Sequence, residues 1–514
     1  MTLGAVDWLV LVLYLGVVLA IGLVASRGAG SGDGAFFLAS RRIPVFAVAL
    51  SVLATSLSAA TFLGAPEDAY NGDLTYLSLN IGGALGAILV AVWFIPAFYR
   101  ANTPTVYGYV EQRLGSGAGK ACSTMFLLGR LLASGARLYM AAIPVALVVF
   151  GGVDAQRTSL AIALVATAAA LYTAAGGVAA VIWTDALQAV VLTAAAGAAM
   201  WLLLVDPATD LHTTWETLRT GVTSDGGAKL QTLDWSANLS APYSVWSAIF
   251  GFTLLNAAAY GADQDLAQRL LTCRSARRGA ASLLLAIALG AVVVGVFLLI
   301  GLLLWARDQQ LGASATSDSR RLFLDFLLTN APTGVKGLAI AGLLAAAMSS
   351  LDSALSSMGA AIVCDFVRPM EKRLGAKTPM PTAMVSRVSI IVVAVALALV
   401  AIACMGWQRA SEEGLLRFAL GVMVFAYAGL LGVFLTAIFT RRGNARSTFA
   451  ALVGGPAVVA ILQFAPVWLE RNGGAWPAEL RPSVGWRMLA GTLVSFGLCF
   501  MGGRGAEPLS VSDD

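Results

Sequence analysis

Thirteen stretches of this chain are apolar over lengths that can cross a bilayer: residues 5–25, 45–65, 76–98, 121–150, 158–175, 178–205, 242–262, 279–306, 334–364, 386–406, 414–440, 446–469 and 484–503. A spanning helix needs about 20 apolar residues to cross about 30 Å of hydrocarbon. No water-soluble fold hides this much apolar side chain. Of the 514 residues 58% are apolar and 12% charged, against roughly 45–50% and 25% in soluble domains, and the mean hydropathy is +0.81. The pattern defines an all-α polytopic membrane protein of about thirteen transmembrane helices, solvated by the lipid bilayer, and it excludes a soluble enzyme. So many spans joined by short loops suit a transporter better than a receptor or an anchored enzyme. The first stretch lacks a basic leader and a small-residue cleavage site, so it reads as a retained helix.

The charges that remain set orientation. A net charge of +5 could suggest a nucleic-acid partner, but no basic run exceeds Arg41-Arg42 and Arg274/Arg277/Arg278, and none is expected. Of the 33 Lys and Arg, 19 fall in one alternating set of loops (26–44, 99–120, 263–278, 365–387, 441–446 and the tail) and 12 in the other. The positive-inside rule then places the N-terminus outside and the C-terminus in the cytoplasm of a bacterial-type inner (plasma) membrane. The other two, Arg130 and Arg137, lie within a span. Five scattered cysteines and the single His212 form neither a disulfide framework nor a metal cluster, and no catalytic constellation is present. The chain reads as a non-enzyme without a cofactor.

Two spans are not uniform helices. The second carries Ser51, Thr55, Ser56, Ser58 and Thr61, then Gly64-Ala65-Pro66; the seventh carries Asn256 and then Tyr260-Gly261-Ala262-Asp263-Gln264. Irregular backbone at membrane depth is tolerated only where protein buries it or it lines a cavity. The two breaks lie five spans apart, and interrupted spans at matching places in two halves point to inverted repeats with a binding site between them. The second span thus becomes core helix 1 and the seventh core helix 6.

Ionisable groups at membrane depth need a reason. Asp185 lies in core helix 5 and Asp352 in core helix 8, where Ser349, Asp352 and Ser353 share a helical face beside Ser350. One or two carboxylates among hydroxyls and freed carbonyls favour a monovalent cation, sodium, over calcium. The competing reading is structural: serines bond back to their own helix, and Asp185 pairs with Arg130 or Arg137. Those two arginines, seven residues apart on one face of core helix 3, offer the planar donors that grip a carboxylate or other anion.

Four motifs carry a resemblance: Ser58–Pro66, Gly176–Gln188, Gln264–Arg269 and Gly337–Ser357. Together, over about residues 5–440, they resemble the sodium/solute symporter family, which includes sodium-coupled carriers of sugars, proline, sialic acid, monocarboxylates and vitamins. The resemblance implies the leucine-transporter fold, a five-plus-five inverted repeat with core helices 1 and 6 broken, in residues 1–440. Residues 441–514 then add two C-terminal helices and a short tail. It implies a sodium site of backbone carbonyls from Ala54, Leu57 and Ala346 with the hydroxyls of Ser349 and Ser350. It also implies a second cation site at Asp185, Ser349 and Ser353, to which Asp352 adds a carboxylate where relatives carry Ser or Thr. The family's solute-facing positions fall on Ser56, Ser58, Thr61, Asn80, Asn256 and Tyr260, joined by Arg130 and Arg137.

The expected function is sodium-coupled symport of a small polar or anionic organic solute by alternating access, with sodium as the coupling ion and the monomer as the working unit. A proton-coupled symporter using Asp185 or Asp352 is the alternative. A non-transporting membrane sensor is a third reading, disfavoured because only about ten residues follow the last span.

Overall fold

A computed structural model describes residues 3–27, 32–224, 226–312, 322–375, 378, 380–410, 415–477 and 480–503. The tail with Arg504, and Arg320, Arg321 and Lys377 of the charge count, lie outside the described residues. Among the described residues there is no strand, only the isolated bridges Val222 to Ala228 and Asp234 to Ser244.

The first helix, α1 (Ala5–Arg27), turns Leu9, Val12, Leu13 and Leu23 outward. The short α2 (Asp33–Leu38) and a left-handed turn at Ala39–Arg41 meet α3 (Val45–Ser56) at a bend of 110°. At Leu57 and Ser58 the backbone becomes extended, and α4 (Ala59–Asn71) resumes the span. Helices α5 (Leu79–Leu89) and α6 (Ile95–Ala101) run together through a π segment, and α7 (Val106–Leu114) is capped by Thr105, whose Oγ1 accepts from the Gly108 amide. Next come α8 (Ser116–Phe150) and the 50-residue α9 (Ala155–Leu204). The latter divides at Gly177, where φ 59° and ψ −160° are accessible essentially to glycine alone.

A surface helix, α10 (Leu211–Thr220), precedes the second interrupted span. This comprises a π segment, α11 (Thr253–Ala257), a second π segment to Ala262, extended Asp263, and α12 (Gln264–Leu270). Then follow α13 (Ala276–Leu311), α14 (Leu322–Asn330), α15 (Val335–Ala361), which continues through a π turn into α16 (Arg368–Arg373), α17 (Thr382–Ala410), α18 (Leu415–Phe439), α19 (Ala445–Arg471) and α20 (Val484–Phe500). Among the described residues eight helical runs are long and apolar enough to cross a membrane, or nine with the bent pair, and three shorter apolar helices accompany them.

The centre and the periphery follow from burial. In α1 22% of the apolar window is buried, against 83% in the run containing α15. Small residues let α15 sit that deep, because Gly, Ala and Ser allow backbones to approach closely. The same logic brings α13 onto α4: a Cβ at Gly301 would stand 2.2 Å from the Pro66 carbonyl oxygen. Two capping contacts pin the core helices. Asp7 Oδ1 accepts from the amides of Gly334 (2.7 Å) and Gly337 (2.9 Å) at the start of α15, the favoured place for an anion. At the C-terminal end of α4, the buried Lys229 donates to the carbonyls of Ala69, Tyr70 and Gly72 at 3.2, 2.6 and 2.6 Å and lies over the Trp305 ring.

Candidate ion and solute site

Both interrupted spans deliver polar groups to α15. The Leu57–Ser58 break ends α3, so among the described residues no amide one turn on takes the Ala54 carbonyl. Ser349 Oγ donates to it instead at 2.9 Å and lies 3.3 Å from the Ala346 carbonyl, with Ser350 Oγ 3.5 Å from the same oxygen. Four of the five expected sodium ligands thus converge where α3 meets α15. The fifth, Leu57, is buried beside them on the break, its amide bonded to Leu53. Hard oxygens on two elements, buried and with no metal-binding cluster of acids among the described residues, suit a monovalent cation.

The expected second cation set is distributed differently. Asp185 Oδ2 accepts from Ser51 Oγ at 2.7 Å and from Arg269 Nη2 at 2.9 Å, while Oδ1 has no partner among the described residues. Ser353 Oγ lies 3.2 Å from Asp265 Oδ2, and Asp352 accepts from the Tyr172 hydroxyl. Ser349, Ser353 and Asp352 therefore address α3, α12 and α9 respectively, and no hydrogen bond joins any of them to Asp185.

The ion partner of Asp185 is Arg269, not Arg130 or Arg137. The charge count placed Arg269 in a cytoplasmic loop, but the backbone after Asp263 re-enters the protein as α12, every residue of which is buried. Arg269 donates from Nε to Ser51 (2.8 Å), from Nη1 to Asp265 Oδ1 (2.8 Å) and from Nη2 to Asp185. Arg130 completes the network, pairing with Asp263 and, at 3.1 Å, with Asp265, while Tyr427 donates to Asp263 at 2.6 Å. Such buried pairs hold only when each charge is met and hydrogen-bonded. Sequence reasoning missed Arg269, Asp263, Asp265 and Tyr427. The available signal was an Asp-x-Asp-x-x-x-Arg run directly after an interrupted span.

Arg130 is thus paired through both terminal nitrogens, while its Nε has no partner among the described residues. Arg137, one side of the same helix and half-buried, has no hydrogen bond or ion pair among the described residues, and lies within electrostatic reach of Arg130, Asp263 and Asp265. Of the other solute positions, Ser56 is exposed, donates to Val52 and sits beside the Tyr260 hydroxyl, which brings core helices 1 and 6 together. Asn256 donates back to Phe252 at 2.8 Å. Ser58, Thr61 and Asn80 are half-buried, and Ser58 starts α4 by accepting the Thr61 and Phe62 amides through its carbonyl.

The fold matches that of a sodium-coupled sialic acid symporter solved in a substrate-bound, outward-open state, with a TM-score of 0.79 at 24% identity over 98% of this chain and 99% of that one. It also matches, at a TM-score of 0.53 and 16% identity over 90% and 93%, the nucleobase-cation-symport-1 transporter Mhp1. The class is that of leucine-transporter-fold membrane carriers. Residues 36–455 match the sodium:solute symporter family, and the chain belongs to that family. Relatives include the human sodium/iodide cotransporter, 28% identical over 89% of this chain and 69% of its own length. The sodium/sialic acid symporter SiaT of Proteus mirabilis is also 28% identical, over 89% of both chains. The mouse sodium-coupled monocarboxylate transporter 1 is 24% identical over 93% and 74%. These relatives are transporters and not enzymes.

Proposed function

We propose that the chain is a sodium-coupled symporter for a small organic anion in a bacterial-type inner membrane, with thirteen spans, the N-terminus outside and the monomer as the working unit. The observation that carries the coupling is the junction at the α3 break: Ala54 gives its freed carbonyl to Ser349 of α15. Sodium replacing that hydrogen bond, held by Ala54, Leu57, Ala346, Ser349 and Ser350, ties the two elements together. Because the solute sits on the same interrupted helix near Ser56, Ser58, Thr61, Asn80, Asn256 and Tyr260, each ligand raises the affinity for the other. Separation of α3 from α15 in the inward-open form releases both.

Arg137 supports the anion. An unpaired guanidinium at membrane depth is costly, and a carboxylate is its natural complement. Iodide, sialic acid and monocarboxylates, for which these relatives are named, are all anions at neutral pH. The charge matters for energetics. A monoanion carried with one sodium moves no net charge and draws only on the concentration gradient, about 1.4 kcal/mol per tenfold. With a second sodium the potential adds about 2.3 kcal/mol per 100 mV. Asp185, with one oxygen unpartnered, is the proposed carboxylate of that second ion.

The test is uptake into proteoliposomes of labelled monocarboxylates, acidic sugars and amino acids chosen by a thermal-shift screen, with and without an inward sodium gradient. Gradient-dependent uptake of an anion is expected. Absence of sodium-driven uptake for every solute overturns the reading.

A further inference from the structure

The structure separates Asp352 from the second cation set in which the resemblance places it, because its carboxylate meets Tyr172 of α9 and has no hydrogen bond to Asp185, Ser349 or Ser353. It points from α15 between α1 and α9, and it is completely buried together with Gln188 (1% exposed), Tyr172 (3%) and Tyr14 (6%). Its Oδ2 accepts from the Tyr172 hydroxyl. Among the described residues its Oδ1 has no hydrogen-bond partner, nor has either polar atom of the Gln188 amide, nor the Tyr14 hydroxyl, although Tyr14 lies beside Gln188 and within electrostatic reach of Asp352. Four orphaned polar atoms meeting in one place contrast with the general rule that buried polar groups are satisfied.

Charge sharpens the point. Asp185, Asp263 and Asp265 each face an arginine at 3.1 Å or closer. Asp352 faces none: among the described residues no Lys, Arg or His pairs with it, and Arg269 is occupied by the other carboxylates. A buried ionised carboxylate needs a cation. A bridging water would satisfy the hydrogen bonds and leave the charge. Tyr172 meets the carboxylate through Oδ2, and Tyr14 lies beside Gln188 and within electrostatic reach of Asp352; one carboxylate, one amide oxygen and two phenol oxygens are a set of hard donors with a single negative charge, which fits an alkali cation and gives a divalent ion too little charge.

We propose that Asp352, Gln188, Tyr14 and Tyr172 form a further sodium site between α1, α9 and α15, distinct from the Ala54–Ser349 junction and from the Asp185–Arg269 pair. It goes beyond the family-implied ion sites in recruiting α1, the helix that precedes the inverted repeat, and Gln188 and Tyr172 of α9. It rests on the reading of the chain as sodium-coupled. The ion at this place ties α1 to α15, a joint that Asp7 already makes at the start of α15. Loading the site therefore stiffens the packing of the peripheral helix on the central one.

The experiment is equilibrium binding of radiolabelled sodium to the purified full-length protein, with stoichiometry and affinity read directly and uptake measured separately. Asp352→Asn is expected to bind one sodium ion fewer per chain than wild type. Gln188→Met and Tyr172→Phe, which keep volume and remove an oxygen, are expected to retain the other ions and weaken one of them by roughly tenfold or more. Ser349→Ala should lose a different ion, so that the double variant with Asp352→Asn loses both. A wild-type ion count and affinity in Asp352→Asn, or in the two conservative variants if that protein does not fold, overturns the proposal and leaves the symport reading standing. A lower ion count without sodium-driven uptake in wild type refutes the symport reading alone. If the site takes a proton in place of sodium, the count is unchanged by Asp352→Asn, and the proposal fails.

Discussion

Arg130 and Arg137 share one face of α8 and look equivalent in sequence, yet substitution to Met should separate them cleanly. Arg130 is 3% exposed and pairs with two carboxylates, Asp263 and Asp265. Removing one member of a buried pair typically costs about 3–5 kcal/mol, because its partner is left charged and unmatched. Arg130→Met should therefore lower the unfolding midpoint in detergent markedly, whatever the solute. Arg137 has no partner to orphan, and Arg137→Met should leave the midpoint unchanged or raise it. Its loss falls on the solute instead. A hydrogen bond to a charged group contributes about 1.5–3 kcal/mol, so the Kd or KM of an anionic solute should rise roughly ten- to hundredfold. The thermal stability of the Arg137→Met protein without solute should stay at or above the wild-type value. Thermal unfolding and proteoliposome uptake with the two variants side by side make the assay. Wild-type anion affinity in Arg137→Met, or wild-type stability in Arg130→Met, refutes the reasoning.

Three further outcomes follow from the geometry. Ser349→Ala removes the hydroxyl that meets Ala54 at 2.9 Å, and should raise the half-saturating sodium concentration by about tenfold or more; an unchanged sodium dependence of uptake removes that ligand assignment. Burial pushes the Lys229 ammonium down to about 8 from its ordinary 10.5. Between those values the unfolded chain holds a proton that the folded protein has shed, so stability should rise with pH through that window. Lys229→Met should abolish that slope, and a slope that persists in unfolding midpoints measured from pH 7.5 to 10.5 contradicts it. Gly177→Ala forces a Cβ to within 2.6 Å of the Phe36 carbonyl oxygen at φ 59°, which should cost about 1–3 kcal/mol in strain; a wild-type unfolding midpoint would falsify the assigned turn.

Much of this arrangement is legible in the chain itself. The apolar stretches anticipate the helices, because bilayer-length segments have few other ways to satisfy their backbone. The polar run before Ser58 and the polar cluster after Asn256 mark where the interrupted spans open, although the first break falls at Leu57–Ser58 and Pro66 is accommodated inside α4. Ser349 meets Ala54 across the junction of α3 and α15, while Ser350 bonds back to Ala346 one turn earlier on its own helix. Arg269 reads as topogenic from its place just past an apolar span, although the acidic run before it carried the signal, and the re-entry of α12 buries it. Spacing does not reveal where Asp352 points. Residues 349, 352 and 353 share a broad face, yet each meets a different helix, because adjacent positions on a helix are about 100° apart and α15 is enclosed on all sides.

The carboxylates and guanidiniums of α8, α9 and α12 have one more consequence when added as charges. Asp185, Asp263 and Asp265 against Arg130, Arg269 and Arg137 leave this buried cluster neutral. On the proposed reading, an anion seated on Arg137 alone leaves a unit of negative charge in a low-dielectric interior, and a cation at the open oxygen of Asp185 alone leaves a unit of positive charge. Both together cancel. Within this cluster the balanced states are the one without either ligand and the one with both, while each singly occupied form carries an unbalanced charge through any rearrangement; the sodium at the Ala54–Ser349 junction and the carboxylate of Asp352 lie outside this sum. Slippage, in which sodium or solute crosses by itself and dissipates its gradient, is then opposed by the charge balance at the centre of the fold as well as by the closing of its helices.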